Sequence, residues 1–233
     1  MPRVRRIVTS RTGGVSSPPY DTFNLGDHVG DDAGDVARNR GRLAEVIGPG
    51  VTVAWMHQVH GDTVQIIGSE PDAGVPDCDA LVTSVPDVAL AVLVADCVPV
   101  LLADVAAGVV GVAHAGREGV RRHVVTRTVE AMVELGATPE DVDVLLGPAI
   151  CGGCYEVSQE LVDLVETATP GGAGQSRTGE PSLDLRAALV TELRALGTVQ
   201  VVSDRRCTAE DPFLFSYRRD GVTGRQAGFV WLS

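Results

Sequence analysis

Aromatic residues are scarce in this chain, 4% of 233 residues. A core built on large rings is excluded, so Val, Leu and Ala must do most of the packing. Basic residues are also short: 19 against 31 acidic ones, for a formal net charge of −12. A nucleic-acid binder would show a basic stripe, so nucleic acid is not an expected partner. A small anionic or nucleotide-like ligand held by a few local arginines stays open. No uncharged apolar run reaches the roughly 20 residues of a membrane span. The basic start, MPRVRRIVTSRTGG, has no apolar segment of the kind a signal peptide needs. The five cysteines are odd in number and irregularly spaced. That argues against a disulfide framework and for free thiols or a metal site in a reducing, cytoplasmic setting.

What is present is a chain 44% hydrophobic, enough for a sizeable core. With no internal repeat and no clear linker, one domain over 1–233 is expected. Strands are expected over 4–9, 51–56, 63–67, 80–83, 142–146, 199–203 and 226–232. Helices are expected over 36–47 (capped by Asp35, with Val36, Leu43, Val46 and Ile47 inward), 117–135, 159–166 (capped by Ser158) and 183–196. Residues 70–79 read as a polar loop. The glycine-rich stretch 169–181 reads as mobile, and it lacks the Lys-Ser/Thr pair of a phosphate loop.

The most apolar stretch, 89–116, carries Asp96, Cys97 and His114. Polar groups in such a run need partners. The break Ala106-Ala107-Gly108 predicts a hairpin with arms over 98–103 and 109–113, so that Cys97 and His114 meet at its open end. A thiol facing an imidazole suits a metal site or a nucleophile–base pair, and it is also what a core histidine beside a buried free cysteine looks like. His57 and His60 share one turn, so either can join the pair. His28 lies in the N-terminal loop, and His123 falls in an arginine-rich helix. If the backbone bends at Asp96-Cys97, which Pro99 favours, Asp96 can support a ligand or accept a proton. Arg11, beside Gly13-Gly14, either contacts an anion or sits in a plain surface loop. The free N–H groups of the helix beginning near Gly116 also favour an anion. Cys151-Gly152-Gly153-Cys154 lacks the second pair a zinc half-site requires, since Cys78 and Cys207 stand alone in the sequence.

Beyond these readings, the chain resembles the YfiH-like family, also called laccase-domain or multicopper polyphenol oxidase proteins. The blocks that carry the resemblance run in order through SRTGGVS (10–16), NLGDHVGDD (24–32), QVHG (58–61), ADCVPVLLAD (95–104) and AHAG (113–116). They continue through GPAICGGCYEV (147–157), LDLR (183–186), CT (207–208) and FSYRRDGVTGRQAGFVWL (215–232). The resemblance implies an α+β (mixed α/β) fold, a layered α/β/β/α sandwich with mixed sheets. It implies zinc held by His60, Cys97 and His114, with copper (Cu2+) as the other metal, and so selects His60 over His57. It implies purine nucleosides and phosphate as partners: phosphorolysis of adenosine, inosine, guanosine and methylthioadenosine, and deamination of adenosine. Asp96 is then the candidate for proton transfer and Arg11 for the anion contact, with Arg117 and Arg218 behind it.

Copper-dependent phenol oxidation and peptidoglycan editing are the alternatives attached to relatives. A blue-copper site joined to a coupled copper cluster needs more imidazoles than five histidines supply. In one place the chain departs from the family pattern. Where Trp usually follows HAG, Arg117 stands here.

Overall fold

The computed structural model describes residues 3–69 and 76–233. Its elements, in chain order, are β1 (Val4–Val8), α1 (Ala33–Ile47), β2 (Thr52–Trp55), β3 (Val64–Ile66), β4 (Ala80–Thr83), β5 (Val88–Val94), β6 (Val98–Asp104), β7 (Val109–Ala115), α2 (Arg117–Arg121), α3 (Val124–Glu134), β8 (Asp143–Leu146), α4 (Gln159–Ala168), β9 (Ala173–Gln175), β10 (Pro181–Leu183), α5 (Leu185–Ala195), β11 (Gln200–Ser203), α6 (Tyr217–Asp220) and β12 (Gln226–Leu232). The strands form a four-stranded sheet, β1-β12-β5-β2, a six-stranded sheet, β11-β8-β6-β7-β4-β3, and a small pair, β10-β9. Both large sheets are mixed. β2 runs parallel to β5, whereas β12 is antiparallel to it. β6 and β7 form an antiparallel hairpin at the centre of the larger sheet.

The side-chain alternation of these strands builds the layers. On β6, Val98, Val100 and Leu102 join Val129 and Met132 of α3 and Leu189 of α5 in one cluster. Leu101 and Ala103, pointing the other way, join Leu90, Val92, Val230 and Leu232 of the second sheet. The outer face of that sheet, Ala91, Leu93, Phe229 and Trp231, packs with Leu43 and Ile47 of α1. The result is the α/β/β/α sandwich. Strands buried on both faces read as continuous apolar runs, which is why 89–116 carries no alternation. Gly111 lets α3 lie close on β7, since a Cβ there would sit 3.2 Å from Met132 Sδ and Thr128 Cγ2. No helix among the described residues is long and apolar enough to cross a membrane.

Several expectations shift. Helix α1 starts earlier, because Asp32 rather than Asp35 caps it, accepting from Asp35 N. Val46, expected inward, is 71% exposed. The helix expected over 117–135 breaks into α2 and α3 at His123, whose φ of 60° is left-handed. The front of the 89–116 run forms its own strand, β5, in the opposite sheet from β6. Within the stretch expected to be mobile, β9 pairs with β10, and Glu166 accepts the N–H groups of Gly171, Gly172 and Ala173. Of the loop expected over 70–79, residues 70–75 lie outside the described range.

Candidate metal centre and the cavity above it

Two chain crossings between the sheets meet the end of the hairpin at one edge of the sandwich. The first leads from β5 to β6 through residues 95–97. Asp96 there has φ 90°, the bend that turns a continuous apolar run into two strands of different sheets. The second leads from β2 to β3 through the QVHG turn, where His60 has φ 58°. Gln58 fixes this turn to the end of β5: its amide donates to Leu93 O and accepts from Leu93 N, both at 2.8 Å. The hairpin register puts Val98 opposite Ala115 and Pro99 opposite His114. The turn centre is therefore one residue later than the symmetry of Cys97 and His114 implies, and Cys97 reaches His114 from just beyond the last pair.

The metal-binding atoms of His60, Cys97 and His114 lie within 4.8 Å of one another. The two imidazoles meet edge to face, with ring centroids 4.7 Å apart. Gly116 leaves room for them, because a Cβ there would sit 3.0 Å from Cys97 Sγ and 3.2 Å from His60 Cδ2. His57 is elsewhere, paired with Asp77 at the surface at 2.7 Å.

A residue that the sequence did not single out organises this trio. Asp79 is fully buried. Its carboxylate accepts from the consecutive backbone N–H groups of Val59, His60 and Gly61 at 3.3, 2.9 and 2.6 Å. It also accepts from His114 Nδ1 at 2.8 Å. Burial pushes the Asp79 carboxyl up, but the bonds from His114 and the Gly61 N–H overcome it and hold it below the usual range. An ionised carboxylate only accepts, so Nδ1 of His114 carries a proton and the ring is turned with Nε2 toward Cys97. Burial also raises the Cys97 thiol, yet attraction and hydrogen bonding from His114, then His60, draw it down to about 6. His114 moves the opposite way, raised by Cys97 and Asp79 against its own burial. Two imidazoles and an incipient thiolate, with the sheet edge open above, match a three-ligand zinc site with one position free. The donor set fits the metal.

Above the trio lies a cavity of about 450 Å³, within the range of small-molecule sites, roughly 300–1,000 Å³. Ile150, Tyr155 and Leu185 give it apolar wall, and Arg117, Arg218 and Arg225 give it positive charge. Arg218 donates to Glu156 O and stacks on Tyr155, 5.1 Å from guanidinium to ring. Arg117 brings a buried Nε with no hydrogen-bond partner. Asp96 also lines the cavity. Its Oδ1 accepts from Thr208 and Ser216 at 2.6 and 2.7 Å, and its Oδ2 from Arg218 N at 2.6 Å. A carboxylate has about four lone-pair sites, so one remains.

Arg11 does not line this cavity. Its Nε donates to Asp21 O, its guanidinium pairs with Asp21 and Asp220, and it lies over the Phe215 ring. Internal partners thus occupy the arginine expected at the anion. Arg225, which sequence reasoning passed over, stands at the cavity instead.

Known proteins share this architecture and sequence. A Neisseria meningitidis protein of solved structure superposes with a TM-score of 0.91 at 38% identity, covering 99% of this chain and 94% of that one. A Bacillus licheniformis YfiH structure gives a TM-score of 0.91 at 29% identity, covering 99% and 93%. A Mycobacterium tuberculosis protein named purine nucleoside phosphorylase is 53% identical, over 99% of this chain and 92% of that protein. One of the same name from Corynebacterium glutamicum is 51% identical, over 98% and 94%. The family described as multi-copper polyphenol oxidoreductase laccase matches residues 5–233, and the chain belongs to it.

Proposed function

We propose that this chain is a zinc-dependent purine nucleoside enzyme, with His60, Cys97 and His114 as ligands. Its reactions are phosphorolysis of adenosine, inosine, guanosine and methylthioadenosine, and deamination of adenosine. The observation that carries the reading is the juxtaposition of the two-His, one-Cys cluster with a cavity bearing three arginines. The names of the Mycobacterium and Corynebacterium relatives support it.

When bound, zinc supplies Lewis acidity at the cavity floor. Asp79 fixes the His114 tautomer and, through the backbone of 59–61, the placement of His60. Arg117, Arg218 and Arg225 receive the phosphate dianion. Tyr155, Ile150 and Leu185 accept the apolar faces of the base. Asp96, held by three donors, takes a proton at the open lone pair of Oδ2. The donor inventory disfavours a coupled multicopper cluster, because His60 and His114 are the only histidines in the metal-ligand clusters of the described residues.

The test is a nucleoside panel run with and without inorganic phosphate, with products separated chromatographically. Free base should appear only with phosphate, and inosine should form from adenosine without it. A Cys97→Ala protein that keeps stoichiometric zinc and full turnover overturns the ligand assignment.

A further inference from the structure

The C-x-x-C of the sequence is one half of a second site, whose other half is Cys207-Thr208-Ala209-Glu210. Both segments share one local geometry. Cys154 N donates to Cys151 O at 3.0 Å, and Glu210 N donates to Cys207 O at 3.1 Å, so each presents its first and fourth side chains from a single turn. The two turns face each other. Cys151 N donates to Cys207 Sγ at 3.3 Å, and the Cys154 thiol lies 3.5 Å from Glu210 Oε1. The three sulfurs and a Glu210 oxygen all lie within 4.8 Å of one another. The glycines of the first turn let its neighbours pack close: a Cβ at Gly152 would meet Asp184 Cβ at 3.1 Å, and one at Gly153 would meet Arg177 Nε at 3.2 Å. Arg177 also reaches Glu210.

We propose that Cys151, Cys154, Cys207 and Glu210 bind a soft divalent cation of the zinc class, in a closed four-ligand site separate from the His60–Cys97–His114 centre. The chemistry follows from the donors. Thiolates select zinc-like ions over magnesium or calcium, and four protein ligands leave no position for substrate. Zinc–sulfur bonds of about 2.3 Å in a tetrahedron put sulfurs near 3.8 Å apart, so the cluster needs only a small contraction. On binding, the three thiols release their protons to solvent. With M²⁺ the four ligands carry a net charge of −2, which the Arg177 guanidinium partly offsets.

The site braces the catalytic corner. Ile150, next to Cys151, donates its N–H to Asp96 O at 3.0 Å. Thr208, next to Cys207, donates to Asp96 Oδ1. A cation joining the two turns clamps the bend that carries Cys97. The inference does not rest on the nucleoside reading, and it stands or falls on metal binding alone.

The experiment uses the full chain with Cys97→Ala, so that the first centre contributes no thiolate. Metal-stripped protein is titrated with Cd²⁺, followed by thiolate-to-cadmium charge-transfer absorbance in the ultraviolet and by native mass spectrometry. A thiol count beforehand should find all four remaining cysteines free. One cadmium with thiolate absorbance is expected, and adding Cys151→Ala and Cys154→Ala should abolish that absorbance. Glu210→Gln in the Cys97→Ala background keeps every thiol and should weaken Cd²⁺ binding roughly tenfold or more. It decides the matter if the triple variant fails to fold. Absence of the absorbance, its survival in the triple variant, unchanged affinity in Glu210→Gln, or two thiols missing until reduction would each overturn the proposal.

Discussion

The two sulfur clusters differ in what stands behind them. His60, Cys97 and His114 sit on chain crossings between sheets, backed by a buried carboxylate and open to a cavity. Cys151, Cys154, Cys207 and Glu210 sit on two paired turns, and none of them lines that cavity. The same element, sulfur, is tuned in opposite directions. Cys97 is drawn down to about 6 by its imidazole neighbours against burial. Burial, with Cys151 and Cys207 alongside, pushes Cys154 up to about 12. A ligand set with a cationic neighbour and an open face is arranged for chemistry, whereas thiols crowded on thiols are arranged to be joined.

The largest effect should come from removing the carboxylate behind the first cluster. Asp79→Asn keeps the shape but puts an NH₂ among four donors. The carboxylate's two oxygens serve two donors each, so one pair of these four donors loses its acceptor and the charge facing His114 is gone, at a cost of about 3–5 kcal/mol of stability and roughly 10–100-fold in metal affinity. Urea unfolding and a zinc competition titration measure the two losses. An Asp79→Asn protein as stable as wild type would remove the distinction drawn between the clusters.

Next in size is a reactivity contrast. In metal-free protein at neutral pH, Cys97 is mostly thiolate and Cys154 almost wholly thiol. The thiolate populations differ by about 10⁵, and the lower nucleophilicity of the more acidic thiol leaves a net rate ratio on the order of a hundredfold. Alkylation followed by peptide mass spectrometry should show Cys97 reacting first. Because its pKa is depressed, its rate should climb as pH rises through about 6 and level off near neutrality, while Cys154 stays slow. Equal rates at pH 7 would mean that the imidazoles do not act on Cys97.

How much of this was legible in the sequence follows the range of the contacts. The β6–β7 hairpin was readable because two apolar runs flank small turn residues, and the closing strand β12 because its run is uninterrupted. The register was not, since the turn is centred between Ala106 and Ala107, one residue beyond the Cys97–His114 midpoint. Spacing does not separate His57 from His60, because one turn offers both. The choice depends on the backbone of 59–61 wrapping Asp79, some 18–20 residues away. Asp79 itself read as the end of a polar loop, and only its burial beside His114 gives it a role. The partner of the C-x-x-C lies 56 residues on and ends in a glutamate, so a search for a second cysteine pair does not find it.

The arginines set the two smallest effects and divide the cavity from its surroundings. Arg117 lines the cavity, so Arg117→Ala should remove a charge-assisted contact to phosphate. Such a contact is worth about 1.5–3 kcal/mol, a rise in the KM for phosphate of roughly 10–100-fold. Arg11 is committed to Asp21, Asp220 and the Phe215 face. Arg11→Ala should cost about 1–3 kcal/mol of stability and leave the phosphate KM unchanged. The two variants measured side by side test the geometry more sharply than either alone. If Arg11→Ala raises the phosphate KM as much as Arg117→Ala does, the anion does not enter through the arginine-lined cavity above Cys97. It then binds at the glycine-rich N-terminal loop, where the sequence first put it, and Arg117 is left as a wall residue of a site that serves the base alone.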